Sequence, residues 1–347
     1  GGLNESFAEL SVRTGDVRWL KLSQRMYHHR ILDPLRAGED KLGNNHANTQ
    51  VPKLIASARL YEITKDEGYA KEATFFWQRV TEHHSFVIGG NADREYFFEP
   101  DTIALHITEQ TCESCNTYNM LKLTRHLYSW TPQGSWFDYY ERAHLNHILA
   151  HQNPKTGMFA YMMPLMSGTA REFSSPDNDF WCCVLSGIES HSKHGDSIYW
   201  EAGDTLFVNL FIPSTLDWKA QGAGFELSTR YPYEGAVAMK VTRLAAAKTF
   251  TVAVRIPGWA GGHKLLVNGK PALATMDKGY ALIRRKWRAG DVVTLDLPLE
   301  LRFEPAAGDE STVALVRGPL VLAADLGAAA DDWKGDAPAL VGADLLA

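Results

Sequence analysis

Apolar residues recur at helical spacing through the first half of the chain. Tyr69, Ala73, Phe76 and Val80 are four, three and four positions apart, so they share one helix face, and Asp66 is placed to cap that helix. Met120, Leu123, Leu127 and Trp130 form a second such stripe. A weak repeat links these segments. A helical stretch runs into Thr14-Gly15-Asp16, Thr64-Lys65-Asp66 or Thr131-Pro132-Gln133-Gly134, an aromatic-rich helix follows, and two of these end in His28-His29 and His83-His84. Helical hairpins repeated in this way cannot bury their apolar faces singly, which predicts a solenoid or a closed ring of helix pairs with loops gathered at one mouth. A further helix is expected to start at Val51-Pro52, just after His46.

From Tyr199 the period changes to two. Phe250, Val252, Val254 and Ile256 alternate with other residues at strand spacing, and Asn268-Gly269 is a tight-turn signal after Leu265-Leu266-Val267. Further strands are expected over Tyr280 to Trp287, Val292 to Leu297 and Val313 to Leu322. The pattern predicts a helical domain over residues 1–198 and an all-β sandwich over residues 199–347, with a tail from Gly327 that shows no period.

Composition narrows the function classes. A chain of 347 residues, 45% hydrophobic and 22% charged, can bury a substantial core, and it has the profile of a folded globular protein. A net charge of −6 without any run of Lys or Arg gives no electrostatic footprint for nucleic acid or an anionic membrane, so a small or neutral ligand is expected. No stretch approaches the roughly 18 apolar residues of a membrane span. The opening Gly1-Gly2-Leu3-Asn4-Glu5 has neither an initiator Met nor a signal peptide, which suggests a chain that begins inside a longer gene product.

The four cysteines, Cys112, Cys115, Cys182 and Cys183, fall in two tight pairs, a spacing that points to metal binding or catalysis more than to a disulfide framework. Zinc takes thiolate, imidazole and carboxylate ligands, usually four. Thr111-Cys112-Glu113-Ser114-Cys115 and Trp181-Cys182-Cys183 together offer five donors. Spacing alone favours a closed four-cysteine knuckle, although a vicinal Cys-Cys half is unusual in one; a set that includes Glu113, or one that recruits His191 and His194 in place of one pair, stays open.

Longer strings add a resemblance. Gly1-Gly2-Leu3-Asn4-Glu5, His46-Ala47-Asn48-Thr49-Gln50-Val51-Pro52, Glu113-Ser114-Cys115-Asn116-Thr117-Tyr118-Asn119-Met120-Leu121-Lys122-Leu123, and Trp181-Cys182-Cys183 with Gly187 and Glu189 are similar to motifs of glycoside hydrolase family 127 and its relative family 146. The resemblance extends to Val208-Asn209-Leu210-Phe211-Ile212-Pro213-Ser214 and Arg255-Ile256-Pro257-Gly258-Trp259. It implies an (α/α)6 barrel, N-terminally incomplete here, followed by the sandwich. It also implies Zn2+ held by Glu113, Cys115, Cys182 and Cys183, with Cys112 outside the metal shell. By the same likeness Cys182 is the nucleophile of a retaining β-L-arabinofuranosidase and Glu95, in Gly89-Gly90-Asn91-Ala92-Asp93-Arg94-Glu95, its acid/base. The substrate would be an arabinose-containing glycan or glycoside. Two departures stand out: Arg94 where a glycine is usual, and Val184-Leu185-Ser186 in place of a Gly-containing run.

The chemistry is coherent in its own right. A cation-bound thiol stays deprotonated at neutral pH, and a carboxylic acid that protonates a leaving oxygen can afterwards activate water. Glu99 is an alternative acid four residues on. His46 and Tyr161 are candidate sugar contacts, whereas His191 and His194 read as a solvated helix face. Two rival functions remain: a hydrolase in which zinc-bound water attacks, and a carbohydrate-binding protein with a structural zinc.

Overall fold

The computed structural model describes residues 2–324. Its first part is helical: α1 (Leu3–Thr14), α2 (Val17–Arg25), α3 (His29–Ala37), α4 (Ala47–Thr64), α5 (Glu67–Arg79), α6 (Ser114–Trp130), α7 (Gly134–Ala143) and α8 (Cys182–His191). π-helical turns, Val80–His84 and His144–Ile148, continue α5 and α7. Both apolar stripes face the core, with Ala73, Phe76, Val80, Met120, Leu123 and Leu127 all buried.

The repeat noted in the sequence is a repeated corner. Thr14 Oγ1 donates to Leu10 O and receives the Asp16 amide, and Asp16 then caps α2 through the Arg18 amide. Thr64, Leu60, Asp66 and Gly68 reproduce these bonds between α4 and α5. Gly15 and Lys65 turn each corner at φ 71° and 60°, the left-handed conformation that ends many helices. One boundary differs from expectation. α4 begins at Ala47, so Pro52 lies inside it and His46 becomes its N-cap residue.

The strands are β1 (Tyr199–Ala202), β2 (Thr205–Val208), β3 (Ser214–Trp218), β4 (Ala223–Thr229), β5 (Ala236–Leu244), β6 (Lys248–Arg255), β7 (Lys264–Val267), β8 (Lys270–Pro271), β9 (Thr275–Asp277), β10 (Tyr280–Trp287), β11 (Val292–Asp296), β12 (Leu301–Ala306), β13 (Asp309–Arg317) and β14 (Leu320–Val321). Sheet β1-β2-β6-β10-β9 faces sheet β3-β4-β5-β11-β7-β8, and side chains from both fill one core. Asn268-Gly269 makes the β7–β8 turn at φ 53° and 75°.

Strand β6 is buried on both faces. Phe250, Val252, Val254 and Ile256 enter the sandwich core, while Ala253 packs into the helical core. Arg255, fully buried, binds Asn209 O at 2.7 Å, Asp138 at 2.6 Å and Glu141 at 2.6 Å, so the helical and β parts meet through a charged seam. A third sheet, β12-β13-β14, departs from the expected single sandwich. It turns back to the helices, where Arg142 makes a two-pronged pair with Glu304 at 2.7 and 2.9 Å. The tail from Gly327 lies outside the described residues.

Candidate active site

Five segments converge on one corner of the helical part: the start of α4, the loop from Ser85 to Phe97, the start of α6, the stretch around Tyr161 and Met162, and the start of α8. Glu113 is the N-cap residue of α6, yet its side chain makes no cap hydrogen bond. It points instead toward Cys115 in the first turn of its own helix and toward Cys182 and Cys183 in the first turn of α8. Ligand atoms of these four residues all lie within 4.8 Å of one another. Cys115 Sγ is 3.2 Å from Cys183 Sγ, Cys182 Sγ is 3.9 Å from Cys183 Sγ, and both vicinal sulfurs are 4.0 Å from Glu113 Oε1.

These separations suit a shared cation. Donors at about 2.0–2.3 Å around a tetrahedral ion stand about 3.3–3.8 Å apart. Glu113 is buried, and its Oε2 has no hydrogen-bond partner among the described residues, a costly state for a carboxylate oxygen unless something positive meets it. Glu113, Cys115 and Cys183 are buried, whereas Cys182 is exposed. The set is therefore closed on three sides, with one sulfur at its mouth.

Without a cation the cluster cannot carry all its charges. Burial, then the charges of Cys182 and Glu95, push the Glu113 carboxyl up to about 8. Hydrogen bonds from Cys115 and Cys183 hold the Cys182 thiol well below its usual range. Negative charge thus collects on the exposed sulfur. Two helix N-termini aimed at the cluster favour it further.

Tyr161 also donates to Glu95 Oε1, so one hydroxyl spans Glu95 and the neighbourhood of Cys182. His46 Nε2 is 3.4 Å from Glu95 Oε2. Glu95 sits on a strained turn: Ala92, Arg94 and Glu95 have φ of 73°, 46° and 71°. Arg94 explains why glycine suits its position, and here ion pairs to Glu109 at 2.5 Å and Asp93 at 3.1 Å fasten it. Glu99 Oε1 lies against Gly43.

Cys112 is not in the cluster. It is fully buried at φ 61°, behind Gly90 and beside His147, so the four-cysteine knuckle does not form. His191 and His194 do not form a solvated face either. His144 Nε2 is 2.8 Å from His194 Nδ1, His194 Nε2 is 3.1 Å from His191 Nδ1, and His191 Nε2 is 3.0 Å from Ile148 O. The relay pins α8 to the π-turn after α7. Glu189 accepts from the Tyr118 hydroxyl at 2.8 Å.

Sequence reasoning missed several contacts. Asn48 Nδ2 donates to Glu113 Oε1 at 2.7 Å, Ser186 Oγ is 3.0 Å from Cys115 Sγ, and Asn116 ties the first turn of α6 to Asn91 at 2.5 Å. The signal for the asparagines was a run of amides at positions that a helix of this pattern buries. A cavity of about 710 Å³ lies elsewhere, between α5, α7 and the β12–β13 hairpin, and neither Glu95 nor Cys182 lines it. No helix among the described residues is long and apolar enough to cross a membrane.

Comparison with known proteins matches residues 1–196 to the catalytic domain of GH127 β-L-arabinofuranosidases and residues 205–299 to the middle domain of the same enzymes. The chain is 26% identical to the non-reducing end β-L-arabinofuranosidase of Bifidobacterium longum subsp. longum, over 92% of this chain and 56% of that protein. A solved GH127 β-L-arabinofuranosidase from Geobacillus stearothermophilus T6 shares its fold with TM-score 0.73 and 24% identity, over 92% of this chain and 57% of that one. A second solved GH127 β-arabinofuranosidase gives TM-score 0.79 and 23% identity, over 92% and 55%. The chain thus spans a little over half the length of these relatives.

Proposed function

The chain belongs to glycoside hydrolase family 127, and from that premise we propose that it carries the active site of a retaining glycosidase that removes β-L-arabinofuranosyl or related residues from a glycan or glycoside. The observation that carries this reading is the lone exposed sulfur of Cys182 on a buried Glu-Cys-Cys set, joined to Glu95 through the Tyr161 hydroxyl. On this reading the helices are part of an (α/α)6 barrel whose mouth holds the site.

Glu113, Cys115, Cys182 and Cys183 would hold Zn2+, since three thiolates with one carboxylate suit that ion better than a hard cation. Bound there, it would keep the sulfurs ionised and neutralise the buried Glu113 charge. Cys182 Sγ attacks the anomeric carbon as the bond to the leaving oxygen breaks, and that oxygen takes its proton from the Glu95 carboxyl. The product of this step is a thioglycoside on Cys182. Water then gives a proton to the Glu95 carboxylate and adds to the anomeric carbon, and the electrons of the broken carbon–sulfur bond return to the Cys182 thiolate. Two displacements retain configuration. Tyr161 and His46 would contact the sugar while keeping Glu95 in place.

The test is the anomeric configuration of sugar released from an aryl β-L-arabinofuranoside by the intact protein, with Cys182→Ser and Glu95→Gln as controls. Retention, loss of turnover in both variants and labelling of Cys182 by an alkylating arabinofuranose analogue are expected. Inversion without labelling would instead mean attack by water, and sugar binding without any turnover would mean a binding protein with a structural cation.

A further inference from the structure

The two motifs that meet at Glu113 contain amides to which the proposed reaction gives no role. Asn48, in the first turn of α4, donates from Nδ2 to Glu113 Oε1 at 2.7 Å. Its Oδ1 in turn accepts from Asn119 Nδ2 on α6 at 2.8 Å. Chemistry fixes the direction of this chain. As the ionised ligand, the Glu113 carboxylate only accepts, so Asn48 then turns its NH2 to Glu113 and its carbonyl to Asn119, and Asn119 donates.

We infer that the relay Asn119→Asn48→Glu113 positions the Glu113 carboxylate for the cation, with Asn48 as its positioning residue; the inference rests on the metal reading proposed above. Glu113 caps no backbone amide of its own helix, and its Oε2 is buried without a partner among the described residues. Among the described residues, Asn48 thus makes the one side-chain hydrogen bond that fixes the carboxylate rotamer from outside the cluster. A ligand oriented before the ion arrives loses less freedom on binding, and supporting hydrogen bonds of this kind are worth about 10–100-fold in metal affinity. Asn48 lies two residues after His46, which reaches Glu95 at 3.4 Å. One turn of α4 therefore braces both the proposed metal ligand and the proposed acid/base.

Zinc affinity is measured on the intact protein by competition with a chromophoric chelator, for wild type, Asn48→Ala, Asn119→Ala and the double variant. Both asparagines are only partly buried, and thermal melts of the zinc-free proteins check that each variant folds. Asn48→Ala is expected to weaken zinc by about 10–100-fold and Asn119→Ala by less. Asn119→Ala should then have no further effect once Asn48 is gone, which is the signature of a relay. Cobalt-substituted Asn48→Ala should also show a shifted visible ligand-field spectrum. A folded Asn48→Ala protein with wild-type affinity and an unchanged cobalt spectrum overturns the inference alone, as does full additivity of the two substitutions. A wild-type protein that binds no zinc overturns both the inference and the reading on which it rests.

Discussion

Replacing His144 with glutamine should remove a defined part of the protein's sensitivity to acid. The relay fixes every tautomer: His191 Nε2 donates to Ile148 O, so its Nδ1 must accept from His194, whose own Nδ1 must accept from His144. All three rings are neutral in this arrangement; a proton added to His191 or His194 would set two N–H groups against each other, and one added to His144 Nδ1 would charge a buried ring. Burial, with repulsion from His194 and His191 once they are protonated, pushes the His144 imidazole down to about 3. Burial likewise pushes His191 down to about 4. An unfolded histidine titrates near 6.5, so the unfolded chain takes up the proton first. Stability is then full above about pH 6.5 and falls as pH drops toward the folded value. For His144 the linkage amounts to about 2 kcal/mol lost by about pH 5. Glutamine keeps a donor for His194 but does not titrate. Urea unfolding of wild type and His144→Gln across this range should give curves that converge with acid, with the shallower slope in the variant. Parallel decline of the two would refute a neutral relay.

Other outcomes follow from the seam and from the Glu95 loop. Arg255→Met leaves Glu141 buried without its counter-charge and should cost about 3–5 kcal/mol, read as a lowered denaturation midpoint. A loss no larger than a surface pair gives would show that the seam is solvated. Gly89 has φ 84°, and a Cβ there would stand 2.8 Å from Ala143 Cα. Gly89→Ala should therefore destabilise by about 1–3 kcal/mol and lower glycoside turnover through the displaced Glu95 loop, so normal kinetics would count against that coupling. Arg94→Gly relieves a left-handed residue but loses half-exposed ion pairs, and a change in stability within about 1 kcal/mol is expected from calorimetry. A much larger loss would mean that the pair to Glu109 holds the turn.

Much of the architecture was legible because burial writes its period into the chain. The stripe from Tyr69 to Val80 and the alternation from Phe250 to Ile256 each identified their element, and the Thr-x-Asp corners were visible as a repeat before their bonds were known. The gathering of Glu113, Cys115, Cys182 and Cys183 was legible through motif likeness; spacing alone favoured a four-cysteine knuckle. Other features were hidden for physical reasons. A histidine pair at i and i+3 looks the same whether it faces solvent or another imidazole, because the partner comes from a distant turn. The β12-β13-β14 sheet is bound to the helices through Arg142 and Asn146, contacts that local alternation does not encode. Asn48 and Asn119 lie 71 positions apart, so their bond exists only once α4 and α6 are packed.

A strand that is buried on both sides also decides how the molecule comes apart. Because β6 serves as a common wall, cutting the backbone between His191 and Tyr199 would not release two self-sufficient pieces. Each would inherit a raw surface, one with Arg255 stripped of its carboxylates and the other with two carboxylates stripped of their guanidinium. Melting should accordingly be shared, with tryptophans in the helices and in the sandwich reporting a common transition.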